Sequence, residues 1–236
     1  AGKGSLPYDH PLNLGAAGAT GTPGANKFAS EADLIIGIGT RYSDFTTASK
    51  TAFGNPEVKF ININVTCFDS HKQGALPLTC DAKVCLEELS ELLGNYSTAG
   101  EYRKAAADAN RLWDEQVEGF FKVSGALPVT QTEVVGAVCG FAGPRDVVLC
   151  AAGSLPGDLH KLWRTSDPKG FHLEYGYSTV GYECAAGIGA KLACPDREIF
   201  VMVGDGNYLM MNNEIVTAIQ EGIKYTIILL DNSGFG

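Results

Sequence analysis

The sequence predicts an α/β fold with two doubly wound parallel sheets, because short apolar runs alternate with longer amphipathic segments along most of the chain. One repeat is especially clear. An apolar run at 199–203 is followed by Gly204-Asp205-Gly206, an amphipathic segment and a second apolar run at 225–230. This order predicts strand, acidic turn, helix and strand, which is a βαβ unit with two neighbouring parallel strands.

The first part of the chain shows a similar alternation and predicts a Rossmann-like domain over residues 1–96. Helices are expected at 26–32 and 83–93, and the second should end at Gly94, a residue common at helix C-termini. The predicted strands of this domain are Leu34–Ile38, 60–65 and 76–78.

A linker helix within residues 97–126 and a second Rossmann-like domain over residues 127–236 complete the predicted architecture. Thr130 or Thr132 is expected to cap a helix that ends near Phe141. The next predicted elements are a strand at 147–152 and a short helix at 158–164.

A segment of small residues after Ser178 predicts a helix that lies very close to the sheet. Its spacing places small residues on one helical face, where they allow another backbone to approach. We expect Gly187 and Gly189 to pack against the sheet in this way.

Composition restricts the functional class. The chain has 236 residues, 45% of them hydrophobic, and a formal net charge of −9, which argues against binding to nucleic acid or to an anionic membrane surface. No apolar run reaches the roughly 18 residues that cross a bilayer, and no signal peptide is visible. The seven cysteines include no Cys-x-x-Cys pattern and favour free thiols in a reducing cytoplasm. We therefore expect a cytoplasmic protein that acts on a small molecule.

Two polar turns are expected to meet in the second domain. Asp205 follows the first strand of the βαβ unit and Asn232 follows the second. Because the carboxyl ends of neighbouring parallel strands meet at one edge of a sheet, both side chains should face one small volume. A carboxylate and an amide oxygen suit Mg²⁺, which prefers oxygen ligands and commonly bridges to phosphates.

These residues resemble the cofactor motif of the thiamine-diphosphate superfamily that includes acetolactate synthases and decarboxylases. The motif is Gly204-Asp205-Gly206 followed, after a helix and a strand, by Asn232 in Asp-Asn-Ser-Gly, although Asp231 stands where the usual pattern has asparagine. The resemblance implies that thiamine diphosphate is held through Mg²⁺, with Asp205, Asn232 and the carbonyl of Gly234 as metal ligands. It also implies that Asn207 lies beside the diphosphate.

A second stretch, which includes Ser178 and Val180, resembles the segment that supports the bent cofactor in the same superfamily. The resemblance implies that the Ser178 carbonyl faces the aminopyrimidine and that Val180 is the apolar wedge between the two rings. Gly153 and Ser154, which follow the strand predicted at 147–152, are also expected to contact the cofactor.

Longer stretches are similar to the trihydroxycyclohexane-dione hydrolase family of myo-inositol catabolism, over essentially the whole chain. They lie near residues 3–11 and 41–47, at 151–164 and at 171–177. This resemblance implies hydrolytic opening of a polyhydroxylated cyclic 1,2-diketone to 5-deoxy-glucuronate. The residues predicted on the substrate side are Ser154, Leu155, His172, Glu174 and Tyr175.

The superfamily also needs a glutamate that activates the aminopyrimidine, and the resemblance places it on an N-terminal pyrimidine-binding domain of a partner subunit. Glu174 and Glu183 are the nearest acidic residues, but neither falls in that position. We therefore expect a piece of a longer protein, with both domains truncated, that works as a homodimer or homotetramer. The piece alone should bind cofactor weakly and have no activity.

Two alternatives remain open from the sequence. The first keeps the cofactor but changes the reaction to an acetolactate-synthase-like carboligase or a 2-oxoacid decarboxylase. The second is a non-catalytic nucleotide-binding module, suggested by Gly37 and Gly39 after the first strand. Tyr42 stands where a dinucleotide-binding motif would need its third glycine, so a tight turn is the favoured interpretation there.

Overall fold

The computed structural model of the chain describes residues 2–174 and 176–234. These residues form two compact units: one is Leu14–Trp113, and the other combines the segment up to Asn13 with the chain from Asp114 onward. The domain limits expected near residues 96 and 127 stay predictions.

The first unit contains a three-stranded parallel sheet in the order β1-β2-β3. In chain order its elements are α1 (Pro23–Glu31), β1 (Leu34–Ile38), α2 (Asp44–Thr47), β2 (Lys59–Asn64), α3 (Cys67–Ser70), β3 (Leu76–Thr79) and α4 (Ala82–Leu93). The three strands and the second helix predicted from the sequence are confirmed, with α4 ending at Gly94, whose φ is 51°.

Helix α1 begins three residues earlier than the sequence pattern predicts. The Thr22 hydroxyl accepts a hydrogen bond from the Ala25 N–H at 3.1 Å, and Pro23 occupies the first helical position. Proline is well suited there because its missing N–H would have no partner within the helix. The cap therefore decides where the helix begins.

Gly37, near the end of β1, makes room for an aromatic ring. A Cβ at Gly37 would collide with the Tyr42 hydroxyl, and that hydroxyl donates a hydrogen bond to Asn62 Oδ1 at 2.8 Å. Gly39 lies at a φ of 63°, which suits glycine in a turn. The turn interpretation is therefore confirmed for Gly39, whereas Gly37 is explained by packing within β1.

Helix α5 (Gly100–Phe121) carries the chain from the first unit into the second. The elements that follow are α6 (Gln131–Phe141), β4 (Val147–Cys150), α7 (Ser154–Leu162), β5 (Phe171–Leu173), α8 (Tyr182–Ala193), β6 (Ile199–Gly204), α9 (Asp205–Met211), α10 (Glu214–Gln220) and β7 (Thr226–Leu230). The four strands form a parallel sheet in the order β5-β4-β6-β7. The fold class predicted from the sequence, α/β with two parallel sheets, is confirmed.

Two predicted helices differ from the structure. Helix α7 begins at Ser154 rather than near residue 158, because Pro156 falls in the first turn, where no backbone donor is needed. The segment between β6 and β7 forms two short helices instead of one, separated at Asn212 and Asn213, and the first begins at Asp205 itself. The acidic turn is therefore the first turn of α9.

Buried aliphatic side chains form the core between the sheet of the second unit and α8. The cluster comprises Val147, Leu149, Ile199, Val201 and Val203, with Ala186, Ala190, Tyr208, Tyr225 and Ile227 packed against it. The close approach predicted for Gly187 is confirmed, since an added Cβ would lie 2.8 Å from the Val201 side chain. The same prediction for Gly189 is wrong, because a Cβ there would meet no atom within 4 Å.

Among residues 2–174 and 176–234, no helix combines the length and the apolar character needed to cross a membrane.

The N-terminus of α6 is held by a reciprocal pair of hydrogen bonds. The Glu133 N–H donates to the Thr130 hydroxyl at 3.3 Å, and the Thr130 N–H donates to Glu133 Oε2 at 2.8 Å. The Ser124 N–H donates to the other carboxylate oxygen at 2.6 Å. The backbone N–H groups of Ser124 and Thr130 lower the pKa of Glu133 from 4.5 to about 2.

This carboxylate makes the stability of the fold depend on pH in a defined direction. Because the pKa of Glu133 is lower in the folded chain, its contribution is full above pH 4.5 and is lost as the pH falls through about 2. We expect Glu133→Gln to lower the thermal unfolding midpoint at neutral pH and the difference from wild type to shrink steadily in acid. A difference that stays constant between pH 7 and pH 2 would contradict this assignment.

Candidate functional site

The candidate site lies where the strand order of the second unit reverses. From β4 the chain passes to β5 on one side of it and then to β6 on the other, so the turns after β4 and β6 diverge at this point. Crevices at such points, at the carboxyl ends of parallel strands, are where open α/β sheets bind ligands. Gly153 and Ser154 follow β4, and Asp205 follows β6.

Oxygen atoms from two distant turns come together beside this point. One terminal atom of the Asn232 side-chain amide lies 2.8 Å from Asp205 Oδ1 and 2.6 Å from the Gly234 carbonyl oxygen. The structure thus brings together the three residues predicted as metal ligands. Ser233 at a φ of 65° and Gly234 at a φ of 143° bend the chain so that this carbonyl faces the side chains.

The orientation of the Asn232 amide determines what the cluster does. With nitrogen in the shared position, the amide donates to both oxygens. With Oδ1 there, three oxygens converge, and the separations of Oδ1 from the other two, 2.8 and 2.6 Å, are a little below the about 3 Å between neighbouring ligand oxygens around Mg²⁺. A rotation of the amide therefore converts a hydrogen-bonded turn into a cation site, and the three residues fit Mg²⁺.

The donor set is also selective in its chemistry. No group of three or more His, Cys, Asp or Glu side chains that could hold a metal occurs in the part of the chain that the structure describes. The candidate site has instead one carboxylate, one amide and one carbonyl, a hard oxygen set that leaves positions open for phosphate oxygens and water. Such a set suits Mg²⁺ better than a softer transition metal.

Asn207 lies in the first turn of α9, two residues after Asp205, and is buried. It is 6% exposed, and its amide nitrogen donates to Glu183 Oε1 at 2.7 Å and to the Ala152 carbonyl at 3.2 Å. The amide thus links α9 to the end of β4. A contact between Asn207 and the diphosphate stays a prediction.

A carboxylate shapes the loop that contains Ser178 and Val180. Glu174 accepts hydrogen bonds from the Tyr177 N–H at 2.9 Å and the Thr179 N–H at 2.6 Å, and Ser178 between them has a φ of 54°. Burial raises the pKa of Glu174, but the backbone donors outweigh it and hold the pKa below its ordinary value. Glu174 therefore supports this loop, whatever it contributes to a substrate.

The same loop packs directly on α9. A Cβ at Gly181, whose φ is 87°, would lie 3.0 Å from Met210 Cβ and 3.2 Å from Met211 Cγ. Because Gly181 is the N-cap of α8, this contact fixes the segment of Val180, which is 39% exposed, beside the helix that begins at Asp205. The structure thus brings the two predicted cofactor segments next to each other.

The residues predicted on the substrate side have different environments. Ser154 is exposed at the first turn of α7, whereas Leu155 is 4% exposed and packs into the core. His172 is exposed in the middle of β5. Tyr175 lies outside the described residues. The substrate roles of these residues stay predictions.

Two side chains at the start of α8 were not assigned to the site from the sequence. The Tyr182 hydroxyl shares a 2.8 Å hydrogen bond with His172 Nε2, and their rings stack with centroids 5.8 Å apart. Glu183 holds Asn207, as described above. The signal available in the sequence was their position, directly after the stretch matched to the cofactor support.

Comparison with known proteins agrees with this geometry. Residues 1–89 match the family model described as thiamine pyrophosphate enzyme, central domain, and residues 151–236 match the one described as thiamine pyrophosphate enzyme, C-terminal TPP binding domain. This chain belongs to the thiamine-diphosphate enzymes. The family's C-terminal domain model covers α7–β7 and every residue predicted to bind the cofactor or the metal.

Three curated relatives from bacteria are similar to the whole chain. Each is a 3D-(3,5/4)-trihydroxycyclohexane-1,2-dione hydrolase: that of Clostridium perfringens is 45% identical, that of Geobacillus thermodenitrificans 44% and that of Clostridium botulinum 41%. Each alignment covers 100% of this chain and 40% of the relative. The chain therefore spans less than half the length of these relatives.

Proposed function

We propose that the complete protein uses thiamine diphosphate and Mg²⁺ to cleave a C–C bond of trihydroxycyclohexane-1,2-dione by hydrolysis, giving 5-deoxy-glucuronate in inositol catabolism. The observation that carries the proposal is that the side chains of Asp205 and Asn232 and the Gly234 carbonyl meet beside the switch point of the sheet. The similarity of the whole chain to hydrolases of this name supports the choice of substrate.

In this proposal the chain's own residues bind and orient the cofactor. Asp205, Asn232 and the Gly234 carbonyl hold Mg²⁺, which in turn holds the diphosphate. The first turn of α7, at Gly153 and Ser154, presents backbone N–H groups to the same anion. When bound, thiamine diphosphate supplies the electron sink that makes C–C cleavage possible.

The other end of the cofactor is assigned to the loop before α8. Ser178 presents its carbonyl to the aminopyrimidine, and Val180 supports the bend between the rings. Glu174 keeps this loop in shape through the Tyr177 and Thr179 N–H groups. We propose that the activating glutamate comes from a part of the complete protein that this chain does not span, contributed by a partner subunit in a homodimer or homotetramer.

The proposed reaction balances as a hydrolysis. The C–C bond between the two carbonyl carbons breaks. Water supplies its hydroxyl to one of these carbons, which becomes the carboxylic acid, and a proton to the other, which becomes the aldehyde. The product is an open-chain acid, and no CO₂ is formed. We propose that His172 and Tyr182, which share a hydrogen bond, contact hydroxyl groups of such a substrate.

The proposal is tested by supplying the complete protein with cofactor, Mg²⁺ and the cyclic dione in ¹⁸O-labelled water. We expect stoichiometric formation of 5-deoxy-glucuronate, measured by NMR, with one labelled oxygen in its carboxylate as shown by mass spectrometry. Consumption of pyruvate with release of CO₂, and no opening of the dione, would instead support a carboligase or decarboxylase. Binding of ADP or NAD without thiamine diphosphate binding would support a nucleotide-binding module.

We also propose a cytoplasmic location for the complete protein. Its support is the cysteine chemistry: all seven cysteines are free thiols, and Cys150 and Cys184 are buried in the second unit. Burial raises the pKa of the Cys184 thiol, which keeps it protonated and unreactive.

A further inference from the structure

Glu183 is a buried carboxylate that the proposed chemistry does not use. It lies in the first turn of α8 and is 1% exposed. Oε1 accepts hydrogen bonds from Asn207 Nδ2 at 2.7 Å and, more weakly, from the Ala152 N–H at 3.5 Å. Oε2 has no hydrogen-bond partner among the described residues.

The position of Glu183 in the first turn of a helix does not by itself explain why its carboxylate is buried. An acidic side chain in the first turn of a helix is favoured by the helix dipole, but the gain is only about 0.3–1 kcal/mol and is available to an exposed side chain. Burial of a carboxyl oxygen without a partner opposes folding by more than that gain. The buried carboxylate of Glu183 therefore serves a purpose other than the stability of α8.

The contacts of Glu183 join the two turns of the candidate site. Asn207 follows the metal-ligand residue Asp205 by two positions, and Ala152 directly precedes Gly153 at the first turn of α7. Asn207 closes the connection by donating to the Ala152 carbonyl at 3.2 Å. One carboxylate thus contacts both turns at the point where the strand order reverses.

We propose that Glu183 is a positioning residue for the diphosphate and Mg²⁺ end of the cofactor. Oε1 fixes the distance between the turn after β4 and the first turn of α9, and Oε2 accepts a hydrogen bond from a water molecule that becomes ordered when the diphosphate binds. This inference rests on the proposed function only in that thiamine diphosphate is the ligand. It assigns no contact between Glu183 and the reacting atoms.

The variant Glu183→Gln separates this role from a structural one. Glutamine keeps an oxygen that accepts from Asn207, but it replaces the unpartnered oxygen by an N–H donor and removes the charge. In the complete protein we expect the Kd for thiamine diphosphate, measured by calorimetry with Mg²⁺, to rise by about 10- to 100-fold. This is the usual loss of affinity when a residue that supports the ligands of a metal site is replaced. The thermal unfolding midpoint without cofactor should be unchanged or higher, and kcat at saturating cofactor should fall much less than the affinity.

Thr165→Val is a matched control. Thr165 Oγ1 is the other buried side-chain oxygen without a partner among the described residues, and it lies beyond the C-terminus of α7. We expect this variant to bind the cofactor as wild type does. A similar loss of affinity in both variants would overturn the inference, because the effect would then follow from any change to a buried polar group.

Two further outcomes distinguish this inference from the proposed function. If wild type binds thiamine diphosphate and Glu183→Gln binds it equally well, the positioning role is wrong and the proposed function stands. If wild type shows no magnesium-dependent binding, the proposed function itself fails.

Glu183→Ala, which removes both oxygens, should lose at least as much affinity as the glutamine variant, and a smaller loss would contradict the role given to the carboxylate.

Discussion

Replacing Asp205 by alanine should abolish the magnesium-dependent binding of thiamine diphosphate by the complete protein. Asp205 supplies the only carboxylate of the three-oxygen cluster, so its removal leaves two neutral ligands that attract Mg²⁺ weakly. We expect a loss of affinity larger than the about 10- to 100-fold loss that is typical when a residue supporting the metal ligands, rather than a ligand itself, is replaced. Calorimetric titration of the cofactor, with and without Mg²⁺, measures this loss.

The neighbouring carboxylate in the second turn provides the control for Asp205→Ala. Asp231 Oδ1 accepts a hydrogen bond from the Ser233 N–H at 2.9 Å, and an asparagine at 231 keeps that acceptor. Asp231→Asn, which also restores the usual asparagine pair of the superfamily, should bind cofactor as wild type does. Equal losses in the two variants would show that net negative charge, rather than metal ligation by Asp205, governs binding.

Replacing Gly187 by alanine should destabilise the second unit, although alanine is the better helix former. The added Cβ would lie 2.7 Å from Tyr225 Cε2 and 2.8 Å from Val201 Cγ2. Neither neighbour moves easily, since Val201 is buried in β6 and the Tyr225 hydroxyl donates to the Cys184 carbonyl at 3.1 Å. Overpacking costs about 1–3 kcal/mol, against about 1 kcal/mol gained in helix propensity, so a lower thermal unfolding midpoint is expected.

Gly189→Ala tests the same substitution two residues along α8. A Cβ there meets no atom within 4 Å, so only the gain in helix propensity, about 1 kcal/mol, remains. The two variants should therefore shift the thermal unfolding midpoint of the cofactor-free protein in opposite directions. Stabilisation by both would mean that the contact between α8 and the sheet is looser than the distances at Gly187 indicate.

Most of the strands and the two polar turns after β6 and β7 were predictable from the sequence because each depends on a short run of residues. The runs that form β1, β3, β6 and β7 are mostly apolar, β2 alternates apolar and polar residues, and period and length suffice to identify these strands. Asp205 and Asn232 could be paired across the intervening segment because parallel strands place their carboxyl ends at one edge. Family resemblance then supplied the chemical identity of the ligand.

The ends of helices and the surroundings of individual side chains were harder to predict from the sequence. The sequence analysis placed the start of α7 four residues late, although Pro156 is tolerated in the first turn of a helix, where no backbone donor is needed. Gly187 and Gly189 have the same chemistry and neighbouring positions, yet only the first faces the sheet. No local pattern separates them, because the difference arises from the rotation of α8 against β6.

The sequence by itself determined the α/β class, most of the strands and the meeting of the turns that follow β6 and β7, since these follow from periodicity and from the connectivity of parallel strands. Only the tertiary structure decided that Glu183 is buried between Asn207 and Ala152. The physical reason is that the hydrogen-bond partners of the Glu183 side chain lie 24 and 31 positions away in the sequence. Hydrogen bonds over such separations depend on how the sheet is packed and leave no mark in the neighbouring sequence.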